Sequence, residues 1–316
     1  MRAPRASSRP VILAHGGAGS TPMTPVQRDC LVEALTIGFD VLRYGGRALD
    51  AVEATIRVLE SGLFNAGLGA RIQLDGVRRM DASITEGRTL RAGAVAGIER
   101  IRHPISAARL VMEKTEHVLL FGKHATRLAE HYKLERQPRV PTSLRKGMAP
   151  PKGSQKRTVG LYEEMEERET VGAVALDRDG NVAAGASTGG ISYMLPGRIG
   201  DSPLIGCGVY ADNDAGAVSM TGQGESIIRI AAAKEIVDQL ESGTNPMTAA
   251  RHTLNKLKKR IAGGEAGALV LTSNGRLAIY HNSPQMCAGY WKDSGKPVVY
   301  LYFPNRLTGR SLNDTY

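Results

Sequence analysis

Two uncharged runs, VGAVAL (Val171–Leu176) and NVAAGAST (Asn181–Thr188), flank Asp177-Arg178-Asp179-Gly180. Small and β-branched residues in runs of this length suit strands, and Gly180 suits the left-handed position of a three-residue loop, Arg178-Asp179-Gly180. Such a loop pairs Asp177 with Asn181. The same register, followed to the open end, sets Thr170 opposite Thr188, with Cβ atoms about 4.5–5.5 Å apart. Five glutamates, Glu163, Glu164, Glu166, Glu167 and Glu169, crowd the approach, and charge stops at Thr170. A threonine pair on a sheet edge is one reading of this arrangement. A chemical pair is the other.

A second hairpin is expected around Gly275, between GALVLTS and RLAIYHN. Two hairpins make the sheet of the second half at least partly antiparallel. Helices are expected over Glu225–Leu240 and over Pro246–Ile261, the latter capped by Thr244 or Asn245. In the first half, PVILAHGGAGS reads as a strand ending in a glycine loop. Thr24-Pro25-Val26-Gln27 has capping-box spacing with proline at the first helical position. Leu31, Leu35, Phe39 and Leu42 follow on one helical face until Gly45-Gly46. Further helices are expected over Ala48–Glu60, from Pro104, and over His124–Lys133. Strands and helices in both halves imply one α+β domain over 1–316, its sheets covered by helices.

A net charge of +10 raises the question of nucleic acid, and its placement answers it. Eight basic residues against Glu135 alone lie between Lys133 and Arg157, and Arg2, Arg5 and Arg9 supply the rest. That stretch carries four prolines and no aromatic residue after Tyr132. It reads as a flexible basic linker, about 134–169, rather than an ordered basic face, so no nucleic-acid partner is expected. Cys30, Cys207 and Cys287 are odd in number and lack CxxC spacing, which points to reduced thiols and a cytoplasmic protein. No apolar run approaches the ~20 residues of a membrane span.

A threonine inside a chain is a poor nucleophile. Once the peptide bond before it is broken, its own α-amine can serve as base for its hydroxyl. ETVGAVALDRDG, STGG, LPGRIGDSP and TGQGE together resemble the threonine-dependent asparaginase/isoaspartyl peptidase family of N-terminal-nucleophile hydrolases. HGGAG, FNAGLGA, MDASI, RAGAVAGI and HPISAARLVMEKTEHVLL resemble its α-subunit.

The resemblance implies a four-layer αββα sandwich with antiparallel sheets, and autocleavage between Glu169 and Thr170. It also implies an α-subunit portion 1–169, a β-subunit portion 170–316 and a homodimer of processed units. Thr170 would be the nucleophile, Thr188 its hydrogen-bond partner, and Thr221 with the Gly222 N–H the oxyanion hole. Arg198 would grip the substrate α-carboxylate and Asp201 the α-ammonium, with Gly222 and Gly224 lining the pocket. Asn65 and the His15–Gly17 loop would border Thr170. The implied substrates are small, asparagine and β-aspartyl peptides. No cofactor is implied, apart from a candidate structural sodium at LESGLFNAG through Leu59, Glu60, Phe64, Ala66 and Leu68. Glu169 stands where the family mostly has glycine or aspartate.

Three other readings exist. GASTG (Gly185–Gly189) matches the serine-hydrolase elbow, with Ser187 as nucleophile, but that motif needs a turn into a helix. HGGAGS might cradle a phosphate, yet it has neither GxGxxG nor Walker spacing. An uncleaved chain would keep the pocket and bind amino acids without turning them over.

Overall fold

In the computed structural model the described residues are 8–20, 22–140, 170–191, 194–292 and 295–300. Glu169 and most of the expected linker lie outside them.

Twelve strands among the described residues form two sheets. The larger runs β12 (Val298–Tyr300), β11 (Gln285–Lys292), β1 (Val11–Gly19), β5 (Val171–Leu176), β6 (Val182–Thr188), β2 (Arg79–Glu86), β3 (Ala92–Glu99), β4 (Leu119–Phe121). The smaller runs β10 (Leu277–His281), β9 (Ala266–Thr272), β8 (Gly216–Gly222), β7 (Val209–Asp212). Pairing is antiparallel within both, save for the three-residue β4 at one edge, which runs parallel to β3.

Alternation along the strands explains why the sheets stack. In β5, Val171, Ala173 and Ala175 belong to one apolar cluster, while Val174 and Leu176 belong to another. β1 divides the same way, Ile12 and Ala14 against Val11 and Leu13. Successive side chains of a strand leave on opposite faces, so an uncharged run of this kind must be covered on both. The first cluster is completed by α1 (Pro25–Arg43), α2 (Ala48–Ser61), α3 (Pro104–Lys114) and α4 (Gly122–His131). The second lies between the sheets, where Leu269 and Leu271 of β9 share a cluster with Val174 of β5 and Ala184 of β6. A third joins Ala268 and Val270 to α5 (Gly224–Ile230), α6 (Ala232–Glu241) and α7 (Pro246–Arg260). Helices, sheet, sheet, helices: this is the expected αββα sandwich.

The β5–β6 hairpin has the expected register, with Leu176 opposite Val182 and Val171 opposite Ser187. Its turn depends on Asp177, whose Oδ1 accepts the N–H groups of Asp179 and Asn181 at 3.0 and 2.9 Å. Gly180 closes the loop at φ +76°, a region that disfavours side chains. Asp177 Oδ2 also accepts the Ala48 N–H at 3.0 Å. That bond caps α2, whose own N-cap residue, Arg47, makes no side-chain cap. One turn residue thereby ties the hairpin to the helix that covers it.

Helix starts follow their signals. Thr24 and Gln27 form the reciprocal capping box of α1, and Asn245 rather than Thr244 caps α7. Two expectations need correction. The helix expected over Glu225–Leu240 is two helices, broken at Ala231 (φ +49°). The break occurs because the N–H groups of Ala233 and Lys234 turn to the carbonyls of Cys207 and Gly206 at 3.1 and 2.9 Å. Residues 134–137, expected within the flexible linker, are tied down instead. Arg102 N–H donates to Glu135 O, Gln137 N–H to Arg100 O, and buried Gln137 donates through Nε2 to Ile101 O. These bonds fasten residues 134–137 to the segment before α3.

Candidate active site

Faces decide which side chains can meet. Val171 and Ser187 oppose each other and Val171 faces the helices, so Thr170 and Thr188, one residue on, face the gap between the sheets. Thr170 Oγ1 donates to Thr188 Oγ1 at 3.3 Å, and both residues are buried. Thr188 Oγ1 also accepts the Gly190 N–H at 3.0 Å. Across β6, Asp81 of β2 stands opposite Thr188. Thr170, Thr188 and Asp81 therefore form a row over three adjacent strands.

Ser187 does not belong to this row. It lies wholly buried on the helix side of β6, and the strand does not turn into a helix after it. The serine-elbow reading fails on that geometry.

β1 supplies the next layer. His15 Nδ1 lies 2.8 Å from the Thr170 carbonyl and Nε2 lies 3.1 Å from Ser219 Oγ. A carbonyl only accepts, so Nδ1 carries the proton. Burial lowers the His15 pKa to about 4, only partly offset by that carbonyl, and the ring is neutral at pH 7. Nε2 is then an acceptor for the Ser219 hydroxyl, which also has the Gly185 carbonyl at 3.1 Å. Gly172 makes the approach possible. A Cβ there would stand 2.2 Å from Ser219 Oγ and 2.4 Å from His15 Nε2.

Thr221 comes from the other sheet. Its Oγ1 accepts the Ala18 N–H at 3.2 Å, which orients the hydroxyl and leaves its own proton to donate elsewhere. Gly222 follows at φ +132°, where a Cβ would meet the Glu265 carbonyl at 2.4 Å. Asn65 works through the segment after β6. Its carbonyl accepts Gly189 N–H at 2.8 Å, its Nδ2 donates to Gly190 O at 2.6 Å, and its Oδ1 accepts Arg71 N–H at 2.9 Å.

The charged end of the site is crowded. Arg198 and Asp201 are not an exposed ion pair. Asp201 is buried, and Arg198 forms a two-pronged pair with Glu225 instead, Nε to Oε1 at 2.8 Å and Nη2 to Oε2 at 2.9 Å. Asp201 Oδ2 is buried without a hydrogen-bond partner among the described residues. Burial raises the Asp201 pKa to about 7, with Arg198 pulling it down and Glu225 and Asp81 pushing it up. Asp81, one oxygen on the Gly97 N–H at 2.7 Å, is raised by burial to about 6. A Cβ on Gly224 would fall 2.9 Å from both Arg198 Nη2 and Asp201 Oδ1. Only glycine fits between them. Glu225 and Asp81 went unassigned in the sequence, although TGQGE and MDASI contain them.

The candidate sodium loop is closed by its own bonds. The carbonyls of Leu59, Phe64 and Ala66 accept the N–H groups of Gly62, Ala66 and Gly69. The Glu60 carbonyl lies 2.2 Å from where a Cβ of Gly67 would stand. The Glu60 carboxylate accepts from His103 Nδ1 and from Ile105 N–H, at 3.1 and 2.9 Å. Leu68 sits in the 3₁₀ turn Gly67–Gly69. The Leu59, Phe64 and Ala66 carbonyls each accept a single N–H among the described residues and keep a second lone pair.

Gly172→Ala is expected to force the His15–Ser219 pair apart and to cost about 1–3 kcal/mol of stability by overpacking. Denaturant unfolding checks this: an unchanged midpoint would show that the pair yields freely.

A family model described as Asparaginase matches residues 8–301. The chain is 39% identical over 303 residues to an isoaspartyl peptidase/L-asparaginase of Xenopus laevis, covering 95% of this chain and 98% of the relative. It is 39% identical to an isoaspartyl peptidase of Escherichia coli strain K12, covering 92% and 96% of the two chains. A plant-type L-asparaginase of Pyrococcus horikoshii is also 39% identical, over 89% and 96%.

Proposed function

The chain belongs to the asparaginase family, and on that premise we propose that it is a self-processing amidohydrolase with Thr170 as N-terminal nucleophile. Its substrates are the β-aspartyl amide of L-asparagine and isoaspartyl peptides, the two classes named in its relatives. The observation that carries the reading is the buried Thr170–Thr188 hydroxyl contact, with Asp81, which interacts with Arg198, opposite Thr188 on the next strand.

Processing begins with Thr170 Oγ1 adding to the carbonyl carbon of Glu169. The C–N bond breaks, leaving an ester and a free α-amine, and water hydrolyses the ester to a Glu169 carboxylate and the Thr170 hydroxyl. The liberated amine, with a reference pKa of ~7.7–8.0, then takes the hydroxyl proton as Oγ1 attacks the substrate β-carbonyl. Thr188 orients Oγ1. The Thr221 hydroxyl, its acceptor side filled by Ala18, and the Gly222 N–H stabilise the oxyanion. The proton passes to departing ammonia or amine, and water releases aspartate from the β-aspartyl ester. His15 holds the Thr170 carbonyl and keeps the nucleophile's backbone in place.

An α-amino acid head suits the charged end. Arg198 takes its carboxylate and Asp201 its ammonium. Pairing of processed units into a dimer belongs to the same proposal, supported by the family resemblance. Cytoplasmic residence does too, supported by three cysteines without a disulfide. Among the described residues, no helix is long and apolar enough to cross a membrane. The loop after α2 would work without sodium, because Asn65 and the loop's own backbone bonds hold it.

Three outcomes are expected. Thr170→Val lowers ammonia release from L-asparagine and leucine release from β-Asp-Leu by on the order of 10⁴-fold or more, whereas Ser187→Ala keeps most of both. An active Thr170→Val protein would end the proposal. L-aspartate binding, measured by calorimetry, weakens about tenfold from pH 8 to pH 6 as Asp201 takes up a proton near pH 7. A flat profile would remove Asp201 from the ammonium site. Replacing sodium by potassium in the buffer leaves the melting temperature unchanged, while Asn65→Ala lowers it. A drop on ion exchange would show that the loop holds sodium.

A further inference from the structure

Arg198 has a carboxylate partner before any substrate arrives. Glu225 occupies Nε and Nη2, the side edge of the guanidinium. A guanidinium offers two edges that match a carboxylate, this one and the end edge formed by Nη1 and the second hydrogen of Nη2. With the side edge filled, only the end edge is left for a ligand.

That end edge is bordered by three glycines. A Cβ on Gly200 would stand 2.8 Å from Nη1, one on Gly190 3.8 Å from Nη1, and one on Gly224 2.9 Å from Nη2. The last point is equally close to Asp201 Oδ1, so the end edge and the buried Asp201 carboxylate converge where side chains are missing. Glu225 is well placed to hold this geometry. It lies in the first turn of α5, whose start is fixed by Gln223 N–H on Glu265 O at 2.8 Å. The Glu225 side chain is 51% exposed, against 12% for Arg198, so its removal opens no cavity in the core.

We propose that Glu225 is a positioning residue for substrate: by clamping the side edge of Arg198 it turns the end edge towards the substrate α-carboxylate. The proposal rests on Arg198 being the carboxylate site. Without the clamp the guanidinium has more orientations to lose on binding, and it sits beside Asp81 and Asp201, which compete for it. The effect acts on binding rather than on Thr170, because Glu225 bonds the guanidinium that takes the substrate α-carboxylate.

Steady-state kinetics and L-aspartate calorimetry on Glu225→Ala and Glu225→Gln test this. For Glu225→Ala the KM for L-asparagine and the Kd for L-aspartate rise together by roughly 10–100-fold, with kcat within about threefold of the parent. Glu225→Gln, which keeps one acceptor, falls between. An unchanged KM and Kd would overturn the proposal. So would a fall in both, which would make Glu225 a competitor for the seat, or a loss confined to kcat. Binding of L-aspartate needs no turnover, and scission of the 169–170 bond is scored separately on a denaturing gel. Failure of the Thr170 mechanism and failure of the clamp therefore give different results. Should Glu225→Ala not fold, the Gln variant carries the same comparison.

Discussion

The register of one hairpin determines where the chemistry can be. Asp177 binds the amides of its own turn and the first amide of α2, so the β5–β6 ladder cannot slip without unseating a helix. A slip of one residue would turn every side chain of a strand to the other face. Thr170 and Thr188 would then point into the helix layer, where Ser187 now lies. The hydroxyl pair, the row it makes with Asp81 and the His15 contact to the Thr170 carbonyl all follow from a turn at the opposite end of β5.

Much of this was legible because the signals are local. Gly180 and Gly275 mark turns whose loop lengths set register, and Thr24-Pro25-Val26-Gln27 states where a helix begins. Uncharged runs in β5, β6 and β9 announce strands covered on both sides. What stayed hidden depends on distant partners. Ala231 looks like an ordinary helical residue, and only the carbonyls of Gly206 and Cys207 break the helix there. Residues 134–137 look like the start of a basic linker, yet buried Gln137 finds partners on Arg78 and Ile101. Glu225 resembles any acidic residue in a first helical turn until Arg198 is seen beside it.

The charged end of the site shows what burial does to ionisation. One guanidinium faces Asp81, Asp201 and Glu225 and pulls the two aspartates down, yet burial still raises them to about 6 and about 7. Raised carboxylates make the folded state bind more protons than the unfolded chain between about pH 4 and 7. They therefore subtract stability as pH rises through that window. His15 works in the opposite sense, because its pKa is lowered and the unfolded chain takes the proton first. On the proposed function, the two costly carboxylates receive the cation of an amino acid head, whose anion goes to Arg198.

The central claim is that an amine exposed by chain scission activates the hydroxyl of the same residue. Intact-mass measurement with N-terminal sequencing on purified, catalytically active protein tests it most directly. The account predicts two pieces, the second beginning at Thr170 and accounting for residues 170–316, with activity appearing in step with them. Full activity from a single unbroken chain of 316 residues would contradict it.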